Sequence, residues 1–131
     1  MELVDIARAD VGIYSLCGDT RSPTPNFEFD LNQFRDPLGQ LELRKTCLDG
    51  CDIRVQEWIR VDPRFDPILN QCVILVKDYQ NGRTEPSKGW ISIGFRDHHG
   101  TWISRAVACL VGRELASLGL KVGLMHAKGQ D

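Results

Sequence analysis

Between Arg96 and Arg105 the chain reads RDHHGTWISR, which brings two histidines, a glycine, two hydroxyls and two arginines into one short stretch. Arg105 can offer a fork of N–H donors to a phosphate. Thr101 and Ser104 can donate hydroxyls, and Gly100 lets the backbone approach a ligand closely. His98 and His99 add donors, or a proton near neutral pH. These types point to an anion site, with the loop 98–105 as its centre. The bland alternative is a polar, solvated helix cap, since Ser and Thr commonly open helices.

The flanking residues say where such a loop must sit. WISIGF (Trp90 to Phe95) has the make-up of a buried strand. The helix after it should begin around Thr101 to Ser104. It carries Ile103, Val107, Leu110, Val111, Leu115 and Leu118 on one face and stops at Gly119. LKVGLMH (Leu120 to His126) reads as a closing strand. Strand, helix and strand with short links predict an adjacent parallel pair. The opening loop then lies at the carboxyl end of a strand and at a helix N-terminus, where anions are favoured.

Upstream, VGIYSLCG (Val11 to Gly18) is a β-rich run ended by glycine, and DTRSPTPN is a loop. FEFDLNQF (Phe27 to Phe34) alternates apolar and polar residues at strand period. CDIRVQEWI (Cys51 to Ile59) fits a short helix. A second helix should start at Asp62-Pro63, with Asp62 as cap, and end near Asn81-Gly82. Phe65, Ile68, Leu69, Cys72, Val73, Val76 and Tyr79 form its core-facing stripe. The expected fold is α/β: one domain over 1–131, with a small mixed or parallel sheet flanked by helices and a strand–loop–helix–strand anion site.

The 131 residues are 42% hydrophobic and 26% charged, with a formal net charge of −2. That balance suits a soluble globular domain and disfavours a stand-alone, non-specific nucleic-acid binder. No apolar run approaches a membrane span, and MELVDIARAD does not read as a signal peptide. Five scattered cysteines without an export signal lead to the expectation of reduced thiols and a cytoplasmic protein. Cys47, Cys51, His98, His99 and His126 have the types of metal ligands, but their spacing is not that of a zinc site. No metal and no cofactor is expected.

His99-x5-Arg105 echoes the Cys-x5-Arg loop of cysteine-dependent phosphatases, in which amides and arginine hold phosphate while a thiolate attacks. Here histidine stands in the cysteine position, so the cradle is present without the nucleophile.

Several motifs, in order, resemble the C-terminal domain of the RNase adaptor RapZ family. Ile93-Gly94 and Arg105-Ala106-Val107-Ala108 match the two ends of that family's Ile-Gly-Cys-Thr-Gly-Gly-x-His-Arg-Ser-Val-Ala loop, whose middle is replaced here by a longer stretch. SLCG (Ser15 to Gly18) is similar to its Ser-Phe-Gly segment. FDLNQFRDP (Phe29 to Pro37) is similar to Phe-Asp-Val-Arg-Phe-x-x-Asn-Pro, with Asn32 in place of arginine. LRKTCLDG (Leu43 to Gly50), YQNGR (Tyr79 to Arg83) and VGLMH (Val122 to His126) follow in order. The resemblance runs from about Ile13 to His126.

The resemblance implies an α/β domain that senses an amino-sugar phosphate, contacts small regulatory RNAs and self-associates. Full-length members carry an N-terminal P-loop domain. No Gly-x4-Gly-Lys-Ser/Thr motif occurs here, which leads to the expectation of a divergent stand-alone member that works either alone or beside a separate P-loop protein as a partner. Asp30, Thr46, Asp49, Arg105 and His126 match family positions, and the resemblance puts Asp30 and Arg105 in the pocket.

Three functions therefore stand. The first is a non-catalytic regulatory module that binds a phosphorylated small molecule through His98, His99, Gly100, Thr101, Ser104 and Arg105, with Asp30 and His126 nearby. The second is an RNA-binding adaptor that contacts RNA phosphates. The third is a phosphatase-like enzyme that has lost its loop cysteine.

Overall fold

Seven consecutive buried residues, Val11–Cys17, form strand β1. A strand with no exposed face belongs inside a sheet that is covered on both sides. The structure is a computed structural model and describes residues 4, 9–18, 24–31, 52–82, 91–97 and 103–126. Its other elements are β2 (Phe27–Asp30), α1 (Ile53–Arg60), α2 (Phe65–Gln80), β3 (Ile91–Asp97), α3 (Ile103–Ser117) and β4 (Val122–His126).

The strands form one four-stranded sheet in the order β2-β3-β1-β4. All three pairings are parallel, with Val11 opposite both Ile91 and Val122, and Phe27 opposite Ile93. This departs from the adjacency expected of β3 and β4. They share a sheet and a direction, but β1 lies between them. β1 is paired to both and is central, and α3 crosses over it. The strand bounds differ slightly from those expected: β3 runs on past Phe95 to Asp97, and β4 begins at Val122 and ends at His126. Trp90 lies outside the described residues.

Alternation divides the sheet's faces. Ile91, Ile93 and Phe95 share a core with Val107, Val111 and Leu115 of α3. α1 and α2 pack on α3, which is why α3 is buried on most of its circumference. Ser92, Gly94 and Arg96 take the other face, where the chain between β1 and β2 crosses β3. Asn26 Oδ1 accepts from the Ser92 amide at 2.8 Å, and the Asn26 amide donates to Ser92 Oγ at 2.8 Å. Pro25 fits over Gly94 so closely that a Cβ there would meet Pro25 Cγ at 2.7 Å.

Helix boundaries follow local chemistry. Asp52 caps α1 by accepting from the Arg54 amide at 2.9 Å. Asp62 does the same for the Arg64 amide at 2.9 Å, but it closes a turn, and regular helix begins only at Phe65. Gly82 and Gly119 adopt φ of 74° and 89° just past α2 and α3, the left-handed stop expected of glycine. Leu118, expected on the buried face of α3, is 57% exposed because it falls in the turn beyond the helix. Among the described residues, no helix is long and apolar enough to cross a membrane.

Candidate functional site

The topology fixes where a ligand would meet this sheet. The chain leaving β1 runs to β2 across one face, and the chain leaving β3 runs through α3 to β4 across the other. Adjacent strands whose connections depart to opposite faces leave a crevice at their carboxyl ends. Here those carboxyl ends are Cys17-Gly18 of β1 and Asp97 of β3. The Gly18 amide donates to the Asp97 carbonyl at 2.9 Å, which keeps the two strand ends together.

Asp97 also controls the start of α3. Its side chain is buried, and Oδ2 accepts from the Ser104 amide at 2.9 Å. A carboxylate thus occupies one of the helix's N-terminal donors. Ser104 itself is fully buried, and its Oγ has no hydrogen-bond partner among the described residues. A buried hydroxyl without a partner is costly, and such groups commonly mark a ligand or water position.

A second polar group lies on the same face of the sheet, toward β4. Ser15 and His126 are register partners, and Ser15 Oγ lies 2.6 Å from His126 Nδ1. His126 Nε2 lies 3.8 Å from Cys109 Sγ on α3. Ser15 and Cys109 are buried and His126 is half-buried. Arg105 is one helical turn before Cys109, so the two share a side of α3. Arg105 is half-buried as well. The helix period therefore brings Arg105 and His126, distant in sequence, to the same end of the molecule.

Asp30 has a different position. It is exposed, pairs with Arg96 in the register, and stands on β2, with β3 and β1 between it and β4. Arg96, the other arginine of the opening stretch, is committed to structure. Its Nη1 donates to the Gly18 carbonyl at 2.7 Å, and its Nε and Nη2 donate to Glu28 at 3.0 Å each. His98, His99, Gly100 and Thr101 lie outside the described residues, as do Cys47 and Cys51.

Three residues of this neighbourhood escape a reading of the sequence: Ser15, Asp97 and Cys109. Ser15 and His126 stand in two of the motifs that carry the family resemblance, SLCG and VGLMH, but nothing in one dimension joins them. Asp97 directly precedes the histidines and reads there as part of a loop. The described cysteines, Cys17, Cys72 and Cys109, are buried and form no disulfide among the described residues. Burial pushes the Cys72 thiol up to about 12, which keeps it protonated and inert at neutral pH.

No family model matches the chain. Over 98 residues it is 39% identical to a protein of Cereibacter sphaeroides strain ATCC 17025, an alignment covering 75% of this chain and 32% of that relative. A protein of Dinoroseobacter shibae is 35% identical over 98 residues, with the same shares covered. Both relatives are named nucleotide-binding protein. The chain spans about a third of the length of these relatives, each covered to 32%.

Proposed function

We propose that this protein is a non-catalytic binding module for a phosphorylated small molecule, held at the carboxyl edge of the sheet where β3 passes into α3. The observation that carries this reading is the fully buried Ser104 hydroxyl, which lacks a partner among the described residues in the first turn of α3. Asp97, at the carboxyl end of β3, holds the Ser104 amide, and the carboxyl edge is where α/β sheets commonly take ligands. The name of the relatives agrees in chemical class, since a nucleotide is itself a phosphorylated small molecule. Within that class, the resemblance to the RapZ C-terminal domain favours an amino-sugar phosphate.

In this reading Arg105 is the main charged donor and Ser104 a neutral one. Thr101, the amides near Gly100, His98 and His99 are the further donors that the loop's sequence supplies. Asp30 and His126 flank the site. Asp97 is already in place at the α3 terminus, and its negative charge opposes an incoming anion. A helix end alone would then be insufficient, and a fixed guanidinium becomes necessary.

Calorimetric titration of sulfate and of a sugar phosphate tests this. A charge-assisted hydrogen bond contributes about 1.5–3 kcal/mol, so Arg105→Ala should weaken binding by about ten- to a hundred-fold. Arg105→Lys should restore part of the loss, because lysine keeps the charge without the fork. Equal affinity in wild type and Arg105→Ala overturns the proposal. Turnover of a phosphate ester would favour the phosphatase reading instead, and salt-sensitive RNA retention the adaptor reading.

A further inference from the structure

We infer that the Ser15–His126–Cys109 cluster makes anion capture at this site pH-dependent, with protonated His126 adding a second positive charge beside Arg105. The inference rests on the binding site proposed above and adds its regulation.

The geometry suits a ring that changes charge in place. Ser15 Oγ is 2.6 Å from Nδ1, and a hydroxyl can either donate or accept. With a neutral ring the hydroxyl donates to Nδ1; with an imidazolium, Nδ1–H donates to Ser15 Oγ. A carboxylate in the place of Ser15 would hold the ring charged, and a backbone amide would hold it neutral. Ser15 permits both forms without movement of the strand, because it is 1% exposed and fixed in the middle of the parallel sheet. On the other side Cys109 Sγ, at 3.8 Å from Nε2, is a soft neighbour that tolerates a donor or an acceptor.

Among the described residues, the groups on the elements next to His126 set the direction. From β1 these are the Ser15 hydroxyl and, one step along the same face, the Cys17 thiol. From α3 it is the Cys109 thiol, with Arg105 one turn earlier on that side of the helix. Farther along the carboxyl edge is the Asp97 carboxylate, the register partner of Cys17. Arg105 opposes a charge on His126 and Asp97 favours it. A bound dianion favours it further and cancels the repulsion from Arg105. Proton and anion binding are therefore linked, each strengthening the other by the same factor. Imidazole is the side chain that changes charge in the physiological range, so capture should tighten as pH falls through that range. His126 and Ser15 act here as positioning residues, through field and geometry.

Sulfate is the probe, because it remains a dianion throughout the range and any pH dependence belongs to the protein. Calorimetric titration into the full chain from about pH 8 down to about pH 5 should tighten wild-type binding by about ten-fold. His126→Gln should lose most of this pH dependence, and what remains belongs to His98 and His99 of the loop. Ser15→Ala, which keeps the imidazole and removes its partner, should keep the dependence with a displaced midpoint. An NMR titration of the His126 ring needs no substitution, and its midpoint should rise when sulfate is added. A flat wild-type profile, a His126→Gln profile parallel to wild type, or a ring midpoint that ignores sulfate overturns the inference and leaves the site standing. Absence of sulfate binding at every pH, or binding indifferent to Arg105→Ala, overturns the site itself and this inference with it.

Discussion

The carboxylate of Asp97 accepts a 2.9 Å hydrogen bond from the amide of Ser104, seven residues later, and so closes the path from β3 into α3. This bond fixes the helix start at the carboxyl edge of the central strands. A side-chain cap of this kind contributes about 1–2 kcal/mol. Asp97→Ala should lower stability by about that amount in urea denaturation, and Asp97→Asn, which keeps an acceptor oxygen, by less. The same Asp97→Asn change should tighten sulfate binding several-fold, because it removes a negative charge from the approach. An unchanged urea midpoint in Asp97→Ala would show that the cap does not hold the helix.

Ser104 should separate stability from binding. Its buried hydroxyl has no partner among the described residues, and such an orphan costs about 1–3 kcal/mol. Ser104→Ala should therefore leave the ligand-free protein as stable or more stable, while weakening sulfate or sugar phosphate several-fold. Thermal melts with and without ligand read both effects. A variant that loses stability without any loss of affinity would make Ser104 a structural residue only.

Gly94 is required by the chain that crosses it. A Cβ at this position would lie 2.7 Å from Pro25 Cγ and 2.9 Å from Leu16 Cδ1, with Pro25 Cβ at 3.3 Å. Proline cannot swing aside as a long side chain can. Gly94→Ala should cost about 1–3 kcal/mol, the usual cost of overpacking, in chemical denaturation. Restored stability in a Gly94→Ala, Pro25→Ala double variant would identify the contact as the cause.

Alkaline pH should destabilise the fold through Cys72. Burial raises its thiol from the ordinary 9.0 to about 12, and burial raises the Tyr14 phenol too. A raised folded-state value means that the unfolded chain gives up the proton first. The contribution is therefore complete below about pH 9 and is lost as pH climbs toward 12. Melting temperatures measured from neutral pH into this window should fall. Cys72→Ala should fall less steeply, although it starts lower, by about 1 kcal/mol, for the lost side-chain packing. Equal slopes in the two proteins would assign the alkaline loss to other groups.

Much of the architecture was legible in one dimension. The apolar runs of β1 and β3, the alternation of Phe27 to Asp30, and the stripe of α3 are local patterns that backbone geometry imposes on any chain. Glycine at 82 and 119 marked helix ends because only glycine takes positive φ there at no cost. The order of the strands was not legible. Sequence neighbours suggested that β3 pairs with β4, yet β1 lies between them and pairs with both.

The candidate site divides in the same way. The sequence by itself determined that a polar, arginine-bearing stretch follows a buried strand and opens a helix. Only the tertiary structure decided that Ser15 and His126 are cross-strand partners, that Cys109 meets the same imidazole, and that Asp97 holds the amide of Ser104. It also decided that Asp30 stands on β2, separated from β4 by two strands, beside Arg96. Local periodicity sets which side of its own element a residue occupies. Which elements then become neighbours depends on the sheet burying its most apolar strand at the centre, and no spacing along the chain records that.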